Sequence, residues 1–211
     1  MKKQIIVLVS LVSLILSSQA FAHFQLIHTP DAALEGGGKI PLALVFTHPF
    51  DAGHTMDMGT PEQFFVLQSR GENPVKKKDL MDTLVPISWQ SLTNSGKAFK
   101  TTYTARGGDH IFCLVPDPYF EAEEDSYIQQ MTKVIINVGG IPGEWMEPAV
   151  EAPQSAFEMQ TIFADDNGIF TFGIPRAGWW GFAALDLDGE ATHKGKPCSK
   201  DAVIWIKAVD M

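Results

Sequence analysis

Residues 98–115 decide the fold class, and they read Ala-Phe-Lys-Thr-Thr-Tyr-Thr-Ala-Arg-Gly-Gly-Asp-His-Ile-Phe-Cys-Leu-Val. The two ends of this stretch, 98–105 and 110–115, are short runs rich in aromatic and β-branched residues, a composition typical of strands. Gly107, Gly108 and Asp109 lie between them and are turn residues. We therefore expect two strands joined by a hairpin, with His110 as a hairpin residue.

Runs of the same character recur along the chain, bounded by Gly, Pro, Asn and Asp. They lie at 24–29, 39–47, 63–68, 133–138, 168–174, 180–186 and 202–209. Many short strands with turn chemistry between them predict an all-β, immunoglobulin-like β-sandwich. We expect one short helix within 119–131, because four acidic residues load its first turn.

Residues 1–22 have the pattern of a signal peptide. Lys2 and Lys3 precede an apolar run over 5–16, and Ala20-Phe21-Ala22 is a small-residue cleavage pattern. The apolar run is short for a membrane span. Cleavage after Ala22 predicts export to a bacterial periplasm.

The remaining chain divides by composition. We expect an N-terminal β-sandwich over 23–145 that carries a metal-binding site, a proline-containing linker over 146–160, and a short C-terminal β-unit over 161–211.

Composition narrows the range of partners. The 211 residues are 45% hydrophobic and 19% charged, which is a globular mixture rather than a disordered one. The formal net charge of −9 disfavours nucleic acid and favours a cation as partner.

The densest group of metal-ligand residue types follows the strand that ends at residue 47. It contains His48, His54, Met56 and Met58. In an extended backbone the last three alternate onto one face. Imidazole with thioether suits copper and is acceptable to nickel or cobalt. The alternative is that both methionines pack in the core while both histidines are surface residues.

Cleavage after Ala22 would make His23 the first residue of the mature chain. An N-terminal histidine offers its α-amine and a ring nitrogen to one metal ion as a chelate. Because the amine titrates near neutral pH, protons compete only weakly with the metal there. The metal site predicted from the sequence is therefore His23, His48, His54, Met56 and Met58.

Cys113 and Cys198 leave two interpretations open. In an oxidising compartment they could form a disulfide, whose long closed loop would stabilise the fold by roughly 4–5 kcal/mol. Alternatively, each is a small buried apolar residue.

Enzyme signatures are absent from the sequence. It contains no Gly-x-Ser-x-Gly elbow and no phosphate-binding glycine loop. We therefore expect a protein that is not an enzyme.

Four stretches resemble the periplasmic component of bacterial cobalt/nickel ABC transport systems, an exported family with a domain of unknown function. They are residues 22–27, 48–59, 118–134 and 166–185. The C-terminal region is shortened relative to that family, and Gln130 lies near a position where the resemblance leads us to expect a histidine.

The resemblance implies a periplasmic protein that binds Ni²⁺ or Co²⁺ and delivers it to an inner-membrane importer. A periplasmic copper chaperone is the alternative, favoured by the soft methionine ligands. A copper oxygenase that uses an N-terminal histidine is a minor third reading.

Overall fold

The computed structural model describes residues 23–49, 53–71, 73–139, 172–174, 176–185 and 188–208. Met81–Thr83 forms a single 3-10 turn. The strands, in chain order, are β1 Phe24–His28, β2 Ala33–Leu34, β3 Gly38–Thr47, β4 Thr55–Met56, β5 Gln63–Ser69, β6 Lys76–Asp79, β7 Val85–Gln90, β8 Ser95–Ala105, β9 Gly108–Val115, β10 Tyr119–Glu121, β11 Ser126–Val138, β12 Gly178–Ala184, β13 Thr192–His193 and β14 Lys196–Ala208.

These strands form two sheets, and the predicted all-β sandwich is confirmed. The first sheet has the order β1-β3-β8-β7, with β4 added to β3. The second has the order β12-β14-β11-β9-β5-β6, with the short strands β2, β10 and β13 added at its margins. Within the described ranges, no helix has the length and apolar character needed to cross a membrane.

The predicted hairpin between β8 and β9 is wrong, because the two strands belong to different sheets. β8 pairs with β3 and β7, whereas β9 pairs with β5 and β11. The connection therefore passes from one sheet to the other, and Tyr103 of β8 packs edge-on against Phe112 of β9 with ring centroids 5.2 Å apart. Alternation along both strands places these rings in the core between the sheets.

The predicted helix within 119–131 is also wrong. β10 and β11 form an antiparallel hairpin there, in which Tyr119 pairs with Ile128 and Glu121 with Ser126. Asp125 closes the turn with a positive φ of 51°. The acidic residues that suggested a helix N-terminus instead occupy the tip of the hairpin, while the β-branched residues after them continue as β11.

The C-terminal strands belong to the second sheet. β14 pairs in parallel with β11 over eight residues, and β12 pairs with β14. Val203 and Trp205 of β14 are part of the hydrophobic core. The predicted signal peptide at 1–22 and linker at 146–160 lie outside the described residues, so the domain boundaries stay predictions.

Strand β1 forms one edge of the first sheet, and its free backbone groups bond to side chains of the second sheet. The Gln25 N–H donates to Oε1 of Gln130 at 2.6 Å, and the Gln25 carbonyl accepts from Nε1 of Trp205 at 3.0 Å. The Gln130 amide also donates from Nε2 to the His23 carbonyl at 3.3 Å. Gln25, Gln130 and Trp205 are all buried. This arrangement satisfies an edge that would otherwise present unpaired polar groups.

Replacing Gln130 with Leu should lower the free energy of unfolding by about 1–3 kcal/mol, because it removes the partner of the buried Gln25 N–H and of the part-buried His23 carbonyl. Urea unfolding measures the effect. The matched control is Gln63→Leu, at the exposed start of β5, which should change stability by less than about 0.5 kcal/mol. Equal stabilities for the two variants would contradict the role of Gln130.

Replacing Gly108 with Ala should destabilise the fold by about 2 kcal/mol or more. Its φ of +114° disfavours any residue with a Cβ, and that Cβ would lie 2.3 Å from the Ser69 carbonyl oxygen. Gly36 is the control, since a Cβ there meets nothing within 4 Å. Thermal unfolding of Gly36→Ala should match the unchanged protein, and a Gly108→Ala variant that did the same would refute the proposed strain.

Candidate metal centre

His23 and His48 lie in ring contact at the start of β1 and the end of β3. Their imidazole centroids are 4.4 Å apart, with the ring planes inclined at 73°. The antiparallel pairing of Phe24 with Thr47 places the residue before β1 beside the residue after β3. Two histidines separated in sequence are thereby brought together, as the sequence-based prediction requires.

The loop from His48 to His54 is closed by backbone hydrogen bonds. The His48 N–H donates to the His54 carbonyl at 3.1 Å, and the Gly53 N–H donates to the His48 carbonyl at 3.0 Å. His48 is 7% exposed. His54 is exposed, with its Nε2 3.4 Å from the Asn94 amide nitrogen. His54 therefore lies at the solvent side of the same loop.

The structure places Met56 and Met58 in the hydrophobic core. Each is 4% exposed. Met56 pairs with Phe46 in the first sheet, and the Met58 sulfur accepts a hydrogen bond from Nε2 of Gln25 at 3.4 Å. The Met58 thioether is thus already engaged inside the sandwich.

Glu121 and Tyr119 complete the surroundings of His23, and sequence reasoning missed both. Oε2 of Glu121 lies 3.6 Å from Nδ1 of His23. The Tyr119 ring lies 6.4 Å from the His23 ring and 5.2 Å from the Phe46 ring. Tyr119 and Glu121 are two residues apart, and on a strand this spacing places both side chains on one face. The predicted helix over this segment conceals that relation.

The surroundings of His23 favour the neutral form of its imidazole. Burial lowers the pKa of His23 below its ordinary value of 6.5, and the neighbouring His48 imidazole lowers this pKa further. Glu121 acts in the opposite direction, and its effect is smaller. Since a metal binds only the neutral imidazole, little proton competition is expected at His23 at pH 7.

A metal site at His23 would need a donor beyond the side chains. In the described part of the chain, no group of three or more His, Cys, Asp or Glu side chains is arranged to hold a metal ion. The α-amine released by cleavage after Ala22 would supply a further nitrogen at His23. With that amine, a metal could bind to His23 and His48 through nitrogen ligands, which suit Ni²⁺, Co²⁺ and Cu²⁺.

Cys113 and Cys198 are free thiols. They lie on β9 and β14, with β11 between these strands. Strands two positions apart are about 9–10 Å apart, which exceeds the Cα separation of about 7 Å that a disulfide can span. The disulfide that the sequence left open is therefore not formed, and burial raises the pKa of both thiols.

The fold and the site define an all-β sandwich with a pair of histidines where its first strand begins. The chain belongs to the DUF4198 family, described as a domain of unknown function, whose profile matches residues 20–159. Comparison with curated proteins and with solved structures gave no match.

Replacing Met56 and Met58 together with Leu should leave the affinity for Ni²⁺ and Cu²⁺ within about twofold of the unchanged protein. The reason is that both side chains pack in the core, where Leu substitutes for Met at modest cost. Titration calorimetry on the mature protein measures the affinity. A tenfold loss of affinity in a folded variant would restore the methionines as ligands.

Proposed function

We propose that this protein is a periplasmic transition-metal-binding protein whose site is built on His23 and His48. The observation that carries the proposal is the contact between these two rings, one of them on the residue that cleavage after Ala22 would make N-terminal. The lowered pKa of His23 supports it further, because the ring is then available to a metal at neutral pH.

Delivery of Ni²⁺ or Co²⁺ to an inner-membrane importer is the function that we favour within this class. The resemblance of four stretches to the periplasmic component of cobalt/nickel transport systems supports it. The burial of Met56 and Met58 also supports it, since these thioethers were the reason to prefer copper on softness. No catalytic role is proposed for the metal.

Copper handling is the second candidate, and the combination of a terminal amine with two imidazoles favours it. Metal analysis of protein purified from its native periplasm distinguishes the two. Nickel or cobalt at stoichiometric content supports delivery to an importer, whereas copper supports a chaperone or, if peroxide-driven oxidation follows, an oxygenase. Affinity alone does not distinguish them, because Cu²⁺ binds more tightly than Ni²⁺ or Co²⁺ at most nitrogen sites.

Replacing His48 with Ala should weaken Ni²⁺ binding to the mature protein at least tenfold, or by about 1.4 kcal/mol. The control is His28→Ala, because His28 is an exposed residue at the far end of β1, beside Trp89. Calorimetry on both variants, with circular dichroism to verify folding, provides the measurement. Unchanged affinity in a folded His48→Ala variant would refute the site.

Adding one glycine ahead of His23 should also weaken Ni²⁺ and Cu²⁺ binding at least tenfold, while thermal stability stays unchanged. The added residue converts the α-amine into an amide nitrogen, which is a poor ligand until it loses its proton. The pH dependence of metal binding should change as well, because protons no longer compete with the metal for a His23 amine that titrates at about pH 7.7–8.0. Equal affinity for the extended and mature chains would exclude the amine as a ligand.

A further inference from the structure

Glu121 faces the ring nitrogen through which an N-terminal histidine chelates. An N-terminal histidine binds a metal ion as a chelate through its α-amine and Nδ1. Its Nε2 lies on the far side of the imidazole ring and cannot bind the same ion together with the amine. Oε2 of Glu121 lies 3.6 Å from that Nδ1. Two donors that bind the same ion at about 2.0–2.2 Å are roughly 3 Å apart, so the carboxylate is within a small movement of sharing a metal with His23.

Strand geometry directs the Glu121 side chain to this position. Tyr119 and Glu121 alternate on β10 and therefore share a face, and the Tyr119 ring packs against Phe46 beneath the histidines. Phe120 points to the other face, where it contacts Tyr127 and the Lys196 ammonium group. The hairpin of β10 and β11 thus fixes which of its side chains reach the site.

The Glu121 carboxylate is also available as a ligand. Its side chain is 18% exposed, and that of His23 is 22% exposed. Among the described residues no Lys or Arg forms an ion pair with Glu121. The Glu123 N–H donates a long hydrogen bond of 3.5 Å to Oε1 of Glu121, while Oε2 faces His23.

The structure places the His48 imidazole and the Glu121 carboxylate oxygen beside His23, and these side chains would have to move to hold one ion together. The Met58 sulfur is held by Gln25 in the core. Carboxylate oxygen favours divalent ions, whereas Cu⁺ prefers thiolate and thioether sulfur. A negative charge in a largely buried position also favours a doubly charged ion over a singly charged one.

We propose that Glu121 is a ligand of the metal held by His23 and that it selects divalent ions, such as Ni²⁺, Co²⁺ or Cu²⁺, over Cu⁺. This inference rests on the proposed function. It names Glu121 as a further ligand of that site and specifies that the bound metal ion is divalent.

The test compares Glu121→Gln with Glu123→Gln in the mature protein that begins at His23. Glu123 is the matched control, because it is an exposed glutamate on the same hairpin. Ni²⁺ affinity is measured by calorimetry, and Cu⁺ affinity by competition with a Cu⁺ chelator under anaerobic reducing conditions. Thermal unfolding verifies that each variant folds, and Glu121→Asp, which keeps a shorter carboxylate, provides a second variant.

We expect Glu121→Gln to weaken Ni²⁺ binding at least tenfold and to change Cu⁺ binding less than threefold, with Glu121→Asp intermediate and Glu123→Gln unchanged. The electron paramagnetic resonance spectrum of the Cu²⁺-loaded protein should change in Glu121→Gln and stay the same in Glu123→Gln. Ni²⁺ affinity within twofold of the unchanged protein, or an equal loss for Cu⁺, would overturn the role of Glu121 while leaving the histidine site intact. Failure of the unchanged protein to bind any of these ions would instead overturn the proposed function together with this inference.

Discussion

The packing of the two sheets depends on the hydrogen bonds made by the backbone N–H and carbonyl of Gln25, a residue on an edge strand. Gln25 lies on the outer strand of the first sheet, and its N–H and carbonyl have no neighbouring strand on that side. Gln130 and Trp205, from two adjacent strands of the second sheet, bond to these groups directly. Because unpaired buried backbone groups are costly, these two bonds fix the position of β1 against the second sheet.

The side chain that satisfies the Gln25 N–H also contacts the candidate metal centre. Gln130 also binds the His23 carbonyl, so the residue that begins β1 is held by the same amide that satisfies Gln25. Pairing of β1 with β3 then places His48 beside His23, and β10, which pairs with β11, places Glu121 3.6 Å from the His23 ring nitrogen. The candidate centre therefore lies where the two sheets meet, with His23 and His48 beside strands of the first sheet and Glu121 on a strand of the second.

Composition and turn residues were sufficient to predict the strands and the sandwich, because strand signals are local. The sequence could not show that residues 106–107 connect strands of two different sheets. Such a connection and a hairpin within one sheet use the same types of turn residue. It also misassigned 119–131, because acidic residues at a hairpin tip resemble those at a helix N-terminus. The meeting of His23 with His48 depends on strand register, whereas the burial of Met56 and Met58 depends on which face of the chain the core covers.

The most direct test is anomalous diffraction from a crystal of the mature protein, starting at His23, grown with Ni²⁺ or Cu²⁺. The account predicts one fully occupied metal peak at about 2.0–2.1 Å from Nδ1 of His23, from its α-amine and from a ring nitrogen of His48. A peak that contacts only exposed side chains, or one that avoids His23 while the protein is saturated with metal, would contradict it.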